Sequence, residues 1–418
     1  MEHQIKRPLD IVLFDANSYY ASCHQAVNPD LKGKPLLVAG DPKNRTGIIL
    51  TASFEARLRG VKTAMPLSQA LRCCPDAVVL SPDFHLYLDL SEKMWEIVGR
   101  YTDKKHIEVV SVDECFADFS GSHLLFGSTE EIARRIQREI LEELGLGISV
   151  GISYCKILAK LASDYERDPR SRIKLPRSFT VIAPEDLKRK VWPMQVGDLS
   201  GIGSQMEKHL ENLGIKTIGD LALFSSKVLQ QRFGIYGLKI YDWANGRDER
   251  LVTPEDNVQN HSLGRSITLP EDLTDSERVA EVLLSLADSV GRKVRHEKAM
   301  ARTITLSIKN SKFKTRTYSI TLSEPTDFTD VIYRESLKLY QEKCLKNEPI
   351  RLLGITAGRL QKGNEQMSLF QEDIDEQKEL SRTVDELRDK YGSKIVMRGT
   401  QLLSLSRDIS RRNKKKDN

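Results

Sequence analysis

Residues Ile107 to Ser120 have the sequence IEVVSVDECFADFS, in which apolar runs flank the acidic pair Asp113-Glu114. Such runs on both sides of a polar pair predict two strands joined by a turn at the pair. Apolar residues at helical spacing predict an amphipathic helix before them, Leu86–Tyr101, and another after them, Thr129–Leu144. Two short apolar strands complete the order β-α-β-β-α-β of a ferredoxin-like sheet: Ile11–Phe14 and Gly147–Ile152.

The rest of the chain predicts further domains, because 418 residues exceed what one hydrophobic core organises. Glycines break the pattern into short helices between Pro184 and Leu251, and the polar stretch Gly246–Gln259 indicates a linker. A small α+β domain should follow. Its expected elements are helices at Ser276–Arg295 and Asp327–Lys346 and strands at Ala301–Lys309, Thr315–Leu322 and Ile350–Leu360. Beyond Gln361 the chain is polar and acid-rich to about Glu379, which favours flexibility. A short helix near Arg382–Tyr391 and a basic tail, Arg411–Lys416, complete it.

The composition is that of an ordinary globular protein, with 39% hydrophobic and 29% charged residues. The net charge of +5 is mildly basic and does not by itself indicate a partner. The sequence has neither a signal-peptide core nor an apolar run long enough for a membrane span. Its six cysteines form no C-x-x-C pair, so we expect reduced thiols and a cytoplasmic protein.

Three acids stand where a metal site could form. Asp15 ends a predicted buried strand, and Asp113 and Glu114 lie at the predicted strand turn. Neighbouring strand residues point to opposite faces, so these two can share a site only at a turn. A few carboxylates can hold two Mg²⁺ ions about 3.5–4 Å apart for phosphoryl transfer. By spacing alone, the alternative of three ordinary surface acids stays open.

Two motifs carry a family resemblance. Residues Phe14 to Cys23 read FDANSYYASC, and Ser111 to Asp118 read SVDECFAD. Both closely resemble the Y-family translesion DNA polymerases of the polymerase IV and UmuC group, and the first motif alone leans toward UmuC. The similarity runs through residues 9 to 360 in the family's domain order.

The resemblance implies an α+β multidomain right-hand polymerase with a ferredoxin-like palm, small fingers, a helical helix-hairpin-helix thumb and an α+β little-finger domain. The expected boundaries are 1–18 and 83–174 for the palm, 19–82 for the fingers, 175–245 for the thumb, 246–259 for the linker, 260–361 for the little finger and 362–418 for a flexible tail.

The resemblance also implies roles for individual residues. Asp15, Asp113 and Glu114 match the catalytic metal-binding carboxylates, and the Ala16 carbonyl matches a backbone metal ligand. Tyr20 matches the steric gate, whose ring excludes a ribose 2′-hydroxyl, and Tyr19 stands beside it in the nucleotide site. Fixed cations near the leaving pyrophosphate would stabilise its charge. The matching triphosphate contacts are Thr51, Arg57 and Lys160. The implied cofactor is a pair of Mg²⁺ ions, for which Mn²⁺ can substitute.

Two positions depart from the family pattern. Phe54 stands where Tyr is frequent, so a hydroxyl that could bond the triphosphate is absent. Asn17 replaces an acid that is common in the polymerase IV branch and that we do not expect to be a required ligand. We therefore expect activity to be retained, with altered nucleotide affinity.

Two segments predict contact with DNA. Val196 to Leu221 resembles a helix-hairpin-helix, in which Gly201 and Gly203 allow a tight turn and present amides to a phosphate. Residues 291–320 contain nine Lys or Arg and one acid, a bias that suits a DNA backbone. The cations expected to contact DNA are Arg302, Lys312, Lys314 and Arg316. Gly145 and Gly147 precede a strand rather than a helix, which argues against a dinucleotide site.

The pentapeptide Gln366-Met367-Ser368-Leu369-Phe370 lies in the acidic segment and resembles the motif that binds the bacterial sliding clamp (beta subunit). A short segment with one polar and two apolar anchors can order on binding to a groove. The expected partners are primer-template DNA, a dNTP and the clamp. We expect a monomer that contacts no membrane and is cytoplasmic, associated with the nucleoid when it acts on DNA.

The predicted function is template-directed, low-fidelity translesion DNA synthesis, with no segment left for a proofreading exonuclease. Two alternatives remain open at this point. A nucleotide cyclase also uses a ferredoxin-like sheet and two metals, but the helix-hairpin-helix and the pentapeptide argue against it. A non-catalytic polymerase-like subunit would not need all three carboxylates.

Overall fold

The computed structural model describes residues 8–40, 47–168, 171, 173–254, 261–343, 348–362, 372–392 and 395–397, with the backbone alone for 372–378. The chain forms two compact units, Met1–Val258 and Gln259–Asn418. No described helix combines the length and apolar content needed to cross a membrane.

The strands of the first unit are β1 (Ile11–Ala16), β2 (Leu36–Ala39), β3 (Ile49–Ala52), β4 (Val78–Leu80), β5 (Ile107–Ser111), β6 (Glu114–Asp118), β7 (Ile148–Ser153) and β8 (Phe179–Val181). Its helices are α1 (Tyr19–Val27), α2 (Phe54–Leu58), α3 (Leu67–Cys73), α4 (Phe84–Val98), α5 (His123–Phe126), α6 (Thr129–Leu144), α7 (Lys156–Ser163), α8 (Ser204–Glu211), α9 (Ile218–Leu223) and α10 (Ser226–Ala244).

The central sheet of this unit has the strand order β5-β6-β1-β7-β8. Its first four strands, with α4 and α6, follow the predicted ferredoxin-like order. Val12 and Phe14 of β1 belong to a core shared with Met94 of α4 and Ile136 of α6. Leu13 points the other way and packs with Ala159 of α7. The sheet is therefore covered on both faces, and α7 lies on the face opposite α4 and α6.

Local signals explain why α6 forms where the sequence predicts it. Ser128 and Glu131 make a reciprocal capping box at its start. Gly145 ends it in the left-handed conformation, with a φ of 68° that glycine adopts without strain. Ile132, Ala133, Ile136 and Ile140 recur at helical spacing and are buried.

Two smaller bodies complete the first unit. The segment between β1 and α4 forms a three-stranded sheet, β3-β2-β4, with α2 and α3. Helices α8, α9 and α10 surround a separate core that includes Leu210, Leu221 and Trp243. The predicted break at Gly234 is a kink within α10, where φ is 63°, and the helix continues through Gly237. Glycine at 237 lets the two parts pack closely, because a Cβ there would meet the Leu229 backbone.

The second unit contains β9 (Ser262–Leu273), α11 (Ser276–His296), β10 (Ala299–Asn310), β11 (Thr315–Thr326), α12 (Thr329–Lys343), β12 (Ile350–Lys362) and α13 (Glu372–Tyr391). Its antiparallel sheet has the order β11-β10-β12-β9. Leu283 and Val290 of α11 and Ile332 of α12 share a core with Ile304 of β10 and Leu353 of β12.

Two features of this unit go beyond what the sequence predicted. Strand β9 lies directly after the predicted linker, where Gly264 and Pro270 hide the strand pattern in the sequence. Helix α13 begins inside the segment expected to be a flexible tail. Its attachment is largely ionic: Arg295 binds Asp385 at 2.7 Å and the buried Arg388 binds Asp288 at 3.0 Å. The sequence predicted only the last part of α13, the short helix near Arg382–Tyr391.

Candidate active site

Asp15 and Glu114 are directly opposite each other in the pairing of β1 with β6. The buried run Val12-Leu13-Phe14 fixes β1 at the centre of the sheet and places Asp15 near its end. Glu114 is the first residue of β6. Cross-strand partners of this kind have Cβ atoms about 4.5–5.5 Å apart. Asp15 and Glu114, two of the three predicted carboxylates, are therefore neighbours across the strand pair.

Asp113 lies in the turn between β5 and β6, as the sequence predicts. Its carbonyl oxygen accepts a hydrogen bond from the Ala16 amide at 2.8 Å, which holds the turn against the end of β1. Its carboxylate accepts one from the Ser111 hydroxyl at 2.6 Å. Among the described residues, no three His, Cys, Asp or Glu side chains lie together as a set of metal ligands. The backbone of Asp113 joins the site while its side chain is held by Ser111.

The positive charge opposite these carboxylates comes from two lysines. The Lys160 ammonium lies 3.1 Å from Asp15 and 2.7 Å from Glu114. Lys174 lies 3.0 Å from Asp15 and 3.0 Å from Asp164. Sequence reasoning identified Lys160 but not Lys174 or Asp164. Asp164 could have been found, since it lies four residues after Lys160 on the same helical face.

Burial and neighbouring charges have opposite effects on the pKa of Glu114, and the same is true for the pKa of Lys160. Burial raises the pKa of Glu114 above its usual range, although Lys160 opposes the shift. Burial alone would lower the pKa of Lys160, but Asp15, Asp164 and Glu114 together raise it. Lys160 therefore stays charged, as a cation fixed between two carboxylates.

Helix α7 carries Lys160 to the sheet through an unusually close approach. A Cβ atom on Gly151 of β7 would overlap the Ala159 carbonyl oxygen and the Ser163 amide. At the start of α7, the carboxylate of Asp248 accepts a hydrogen bond from the Ile157 amide at 3.0 Å. These two contacts, one under the helix and one at its end, position the Lys160 side chain.

The remaining residues predicted to contact the nucleotide lie on α1, β3 and α2. Thr51 is buried in β3, Phe54 is the first residue of α2, and both precede Arg57. Arg57 donates to the Ala52 carbonyl at 3.0 Å. Burial lowers the pKa of Arg57, and the nearby charge of Asp15 opposes that shift. Arg57 is thus within electrostatic reach of Asp15.

Tyr20 presents an aromatic ring beside the turn that carries Asp113. Its ring stacks on Tyr87 of α4, with centroids 4.2 Å apart and an interplanar angle of 17°. Burial, followed by the charge of Asp113, raises the pKa of Tyr20. Tyr19 is buried beneath it and donates to the Tyr87 carbonyl at 2.6 Å. The stack fixes the plane of the Tyr20 ring.

Asn17 has a structural role directly after β1. Its amide nitrogen donates to the Ser149 hydroxyl at 2.8 Å, and its side-chain oxygen accepts from the Arg177 amide at 2.7 Å. An aspartate could accept both bonds, because the Ser149 hydroxyl can also donate, so these contacts do not exclude an acid at this position.

The glycines predicted for the helix-hairpin-helix occupy a tight turn before α8. Gly201 has a φ of 96°, and a Cβ there would crowd Trp243 and the Tyr236 hydroxyl. Gly203 is the N-cap residue of α8, with open space around its Cα. Backbone amides at such a helix start can bind a phosphate.

The basic stretch 291–320 divides between two surfaces. Arg292 and Arg295 on α11 bind Asp389 and Asp385 of α13, so their charge is neutralised there. The predicted DNA contacts lie instead on β10, β11 and the turn between them. Arg302, Lys312 and Lys314 are exposed, and Arg316 binds Glu348 at 2.9 Å.

The sheet face opposite α11 and α12 is lined by small and hydroxyl-bearing residues, a feature that sequence reasoning missed. The strand registers align four rows across β11, β10, β12 and β9, of which the first three contain only Gly, Ser and Thr and the fourth also contains Lys309 and Leu352. They are Thr321-Thr303-Gly358-Ser262, Ser319-Thr305-Thr356-Gly264, Thr317-Ser307-Gly354-Ser266 and Thr315-Lys309-Leu352-Thr268. Only the pairing of four strands brings these residues into one surface.

The pentapeptide Gln366–Phe370, which was predicted to bind the clamp, lies outside the described residues, as does the basic tail Arg411–Lys416.

Three family models match the chain in order. Residues 14–164 match the impB/mucB/samB family, residues 197–248 match the thumb domain of DNA polymerase-iota, and residues 260–369 match the impB/mucB/samB family C-terminal domain. DNA polymerase IV of Clostridium kluyveri is 37% identical over 400 residues, which cover 93% of this chain and 97% of the relative. DNA polymerase IV 1 of Bacillus subtilis is 37% identical, with 93% and 92% covered.

Solved structures agree on the fold. A Y-family DNA polymerase chimera, Dbh-Dpo4(243-245)-Dbh, matches with a TM-score of 0.72 at 24% identity, covering 84% of this chain and 99% of that one. An insertion ternary complex of Dbh DNA polymerase matches with a TM-score of 0.57 at 24% identity and the same coverage.

The chain belongs to the Y-family of DNA polymerases, in the DNA polymerase IV group. Its activity is therefore that of a DNA-directed DNA polymerase for translesion synthesis. The whole-chain comparisons favour polymerase IV over UmuC, toward which the first motif alone leans. They also remove the nucleotide cyclase alternative. Polymerases of this group generally use divalent metal ions.

Proposed function

We propose that the chain adds dNTPs to a primer 3′-hydroxyl through two divalent ions held by Asp15, Asp113 and Glu114, with the Ala16 carbonyl as a further ligand. The observation that carries this proposal is the Lys160 ammonium, which lies within 3.1 Å of both Asp15 and Glu114. A cation thus fits between two hard carboxylate oxygens, the ligand type that Mg²⁺ prefers. Mg²⁺ is the proposed ion, with Mn²⁺ as a substitute.

The ions, when bound, would activate the primer hydroxyl and neutralise charge on the phosphates. The protein's own cations act on the leaving group. Arg57 and Lys160 are fixed near Asp15, and both would bind the triphosphate as its charge moves to pyrophosphate. Thr51 would add a hydroxyl contact to the triphosphate. Phe54 would add none, because it lacks the hydroxyl of the Tyr that is frequent at this position.

Tyr20 would select the sugar. Its ring is fixed by stacking on Tyr87 and lies close enough to Asp113 to sense its charge. A ring held rigidly beside Asp113 can exclude a 2′-hydroxyl by contact, and so distinguish two sugars that differ by one oxygen atom.

Primer-template DNA would contact two surfaces. The amides around Gly201 and Gly203 would bind a backbone phosphate. In the second unit, Arg302, Lys312, Lys314 and Arg316 would bind phosphates along the edge of the hydroxyl-lined sheet face. Hydroxyl and amide groups on such a face can bond to phosphate oxygens without reading sequence. The sliding clamp would bind Gln366–Phe370, and the protein would act in the cytoplasm at the nucleoid.

Primer extension tests the proposed site. Glu114→Gln should reduce single-nucleotide incorporation by at least about a thousandfold with Mg²⁺, because it removes a charged ligand. The matched control is Asp118→Asn, at the other end of β6, where the carboxylate only accepts the Ser120 amide. Chelation by EDTA should stop wild-type extension, and Mn²⁺ should restore it. Near-wild-type incorporation by Glu114→Gln would refute the assignment.

A further inference from the structure

Two partly buried lysines, rather than one, neutralise the carboxylates of the site. Lys174 is 19% exposed and lies 3.0 Å from both Asp15 and Asp164. The same Asp15 oxygen, Oδ2, also bonds Lys160 at 3.1 Å. A divalent cation that binds this oxygen is repelled by both ammonium groups, because like charges a few ångströms apart disfavour each other. Lys174 therefore influences the carboxylates of the site in addition to the triphosphate contacts proposed for Arg57 and Lys160.

Lys174 is held in place by backbone structure. It pairs with Arg167 in a short antiparallel bridge after α7. The Asp168 amide donates to the Ile173 carbonyl at 2.8 Å, and the Leu175 amide donates to the Glu166 carbonyl at 2.9 Å. These bonds fix the position of the Lys174 backbone, so its side chain is directed to the carboxylates rather than sampling solvent.

We propose that Lys174 is a positioning residue that competes with divalent cations for Asp15, so that metal binds tightly only when an incoming triphosphate takes over the lysine. This inference rests on the proposed metal site. Before a nucleotide arrives, a metal ion entering at Asp15 must displace an ammonium whose other partner is Asp164. A triphosphate supplies a further anion for that ammonium. Metal and nucleotide then bind cooperatively, and each raises the affinity of the other by the same factor.

Metal binding measured without catalysis tests the proposal. Mn²⁺ is titrated into the full-length protein without DNA or nucleotide, and free Mn²⁺ is read by electron paramagnetic resonance. Lys174→Met should bind Mn²⁺ about tenfold more tightly than wild type, the size of effect that one adjacent charge has on a buried carboxylate. Lys174→Arg keeps the charge and should stay within about threefold of wild type.

A matched control separates this effect from the general loss of an ion pair. Lys190→Met removes a lysine that binds Asp186 at 2.9 Å, away from the carboxylates of the site, and should leave Mn²⁺ affinity unchanged. Circular dichroism checks folding, and Lys174→Gln is the substitute if Lys174→Met does not fold. An unchanged or weaker affinity in the neutral variant would overturn the proposal.

A second Mn²⁺ titration tests the coupling between metal binding and nucleotide binding. With a dideoxy-terminated primer-template and the matching dNTP, the advantage of Lys174→Met should shrink to less than about threefold, because the triphosphate now engages the wild-type lysine. A tenfold advantage that persists would overturn the coupling. Asp15→Asn tests the underlying site in the same titration. If Asp15→Asn binds Mn²⁺ like wild type, the metal site itself is misassigned, whatever Lys174 does.

Discussion

Gly151 of β7 lies so close to Ala159 of α7 that a Cβ atom on the glycine would overlap the alanine carbonyl oxygen. Helix α7 carries Lys160, whose ammonium bonds Asp15 and Glu114. The distance between the strand and the helix therefore sets where this cation lies relative to the carboxylates. Backbone atoms, unlike the end of a flexible side chain, cannot move aside cheaply.

Gly151→Ala should displace α7 and impair catalysis more than folding. We expect a loss of about 1–3 kcal/mol in unfolding free energy from overpacking. We expect a fall in incorporation rate of about a hundredfold, since misplacement by about 1 Å can cost that much. Urea denaturation and single-turnover primer extension measure the two effects. Gly121→Ala, which meets open space, should change neither. A fully active Gly151→Ala would show that the close approach does not position Lys160.

Asp113→Asn tests whether the turn carboxylate is a metal ligand. The substitution keeps the Ser111 hydrogen bond possible but removes the charge. Incorporation with Mg²⁺ should fall by about a hundred- to a thousandfold, and the dependence on Mg²⁺ concentration should move to higher values. Ser111→Ala frees the carboxylate from its partner and should retain activity. If Asp113→Asn extends primers normally, Asp15 and Glu114 alone would have to hold the ions.

Tyr20→Ala should admit ribonucleotides. Removing the ring opens the space beside Tyr87 in which a 2′-hydroxyl could fit. The selectivity for dCTP over CTP, measured as the ratio of kcat/KM values, should fall by at least about a hundredfold. Tyr20→Phe keeps the ring and the stack, so its selectivity should match that of wild type. Equal loss in both variants would assign the effect to the hydroxyl, and no loss in Tyr20→Ala would exclude the steric role.

The sequence was sufficient to predict the contacts that local patterns create. The buried run before Asp15 and the turn at Asp113-Glu114 were both recognisable, although spacing alone left open whether these acids share a site. The helical spacing of apolar residues predicted α6 over Thr129–Leu144, the range that it occupies. These features depend on neighbours in the chain, and hydrophobic periodicity records such neighbours directly.

Features built by distant polar residues could not be predicted in this way. Asp248 binds the start of α7 across 91 residues of sequence, and Lys174 reaches Asp15 from a short bridge without periodicity. The C-terminal part of α13 was predicted near Arg382–Tyr391, but its ion pairs, such as Arg388 with Asp288, were not. The sequence does not show which residue a charged side chain pairs with, and only the folded chain reveals the pairing.

Asp248→Asn should lower the free energy of unfolding by an amount that depends on pH. Burial would raise the pKa of Asp248, but hydrogen bonds and charge from Arg250 and the bond from the Ile157 amide lower it below its usual 3.8. A lowered carboxyl pKa stabilises the fold above the unfolded value, and the contribution is lost as pH falls through the folded value. Wild type should exceed Asp248→Asn by about 1 kcal/mol in unfolding free energy above about pH 5.

That difference between wild type and Asp248→Asn should shrink as the pH falls below 4, and urea denaturation across the pH range measures it. Asp242→Asn is the matched control, because Asp242 binds Arg247 on an exposed surface and caps no helix. A difference that is constant with pH would mean that the charge of Asp248 does not stabilise α7.

Lys312→Ala and Lys314→Ala should weaken DNA binding uniformly across sequences. Both side chains are exposed in the turn between β10 and β11, and removing one phosphate-binding cation should reduce the slope of log K against log salt concentration by about 1. Fluorescence anisotropy with primer-template DNA between low and high salt measures the slope. Arg292→Ala is the matched control: it belongs to the same basic stretch but binds Asp389 of α13, so its removal should leave the slope unchanged. If Arg292→Ala lowers the slope as much as Lys312→Ala, net charge rather than the β10–β11 surface governs binding.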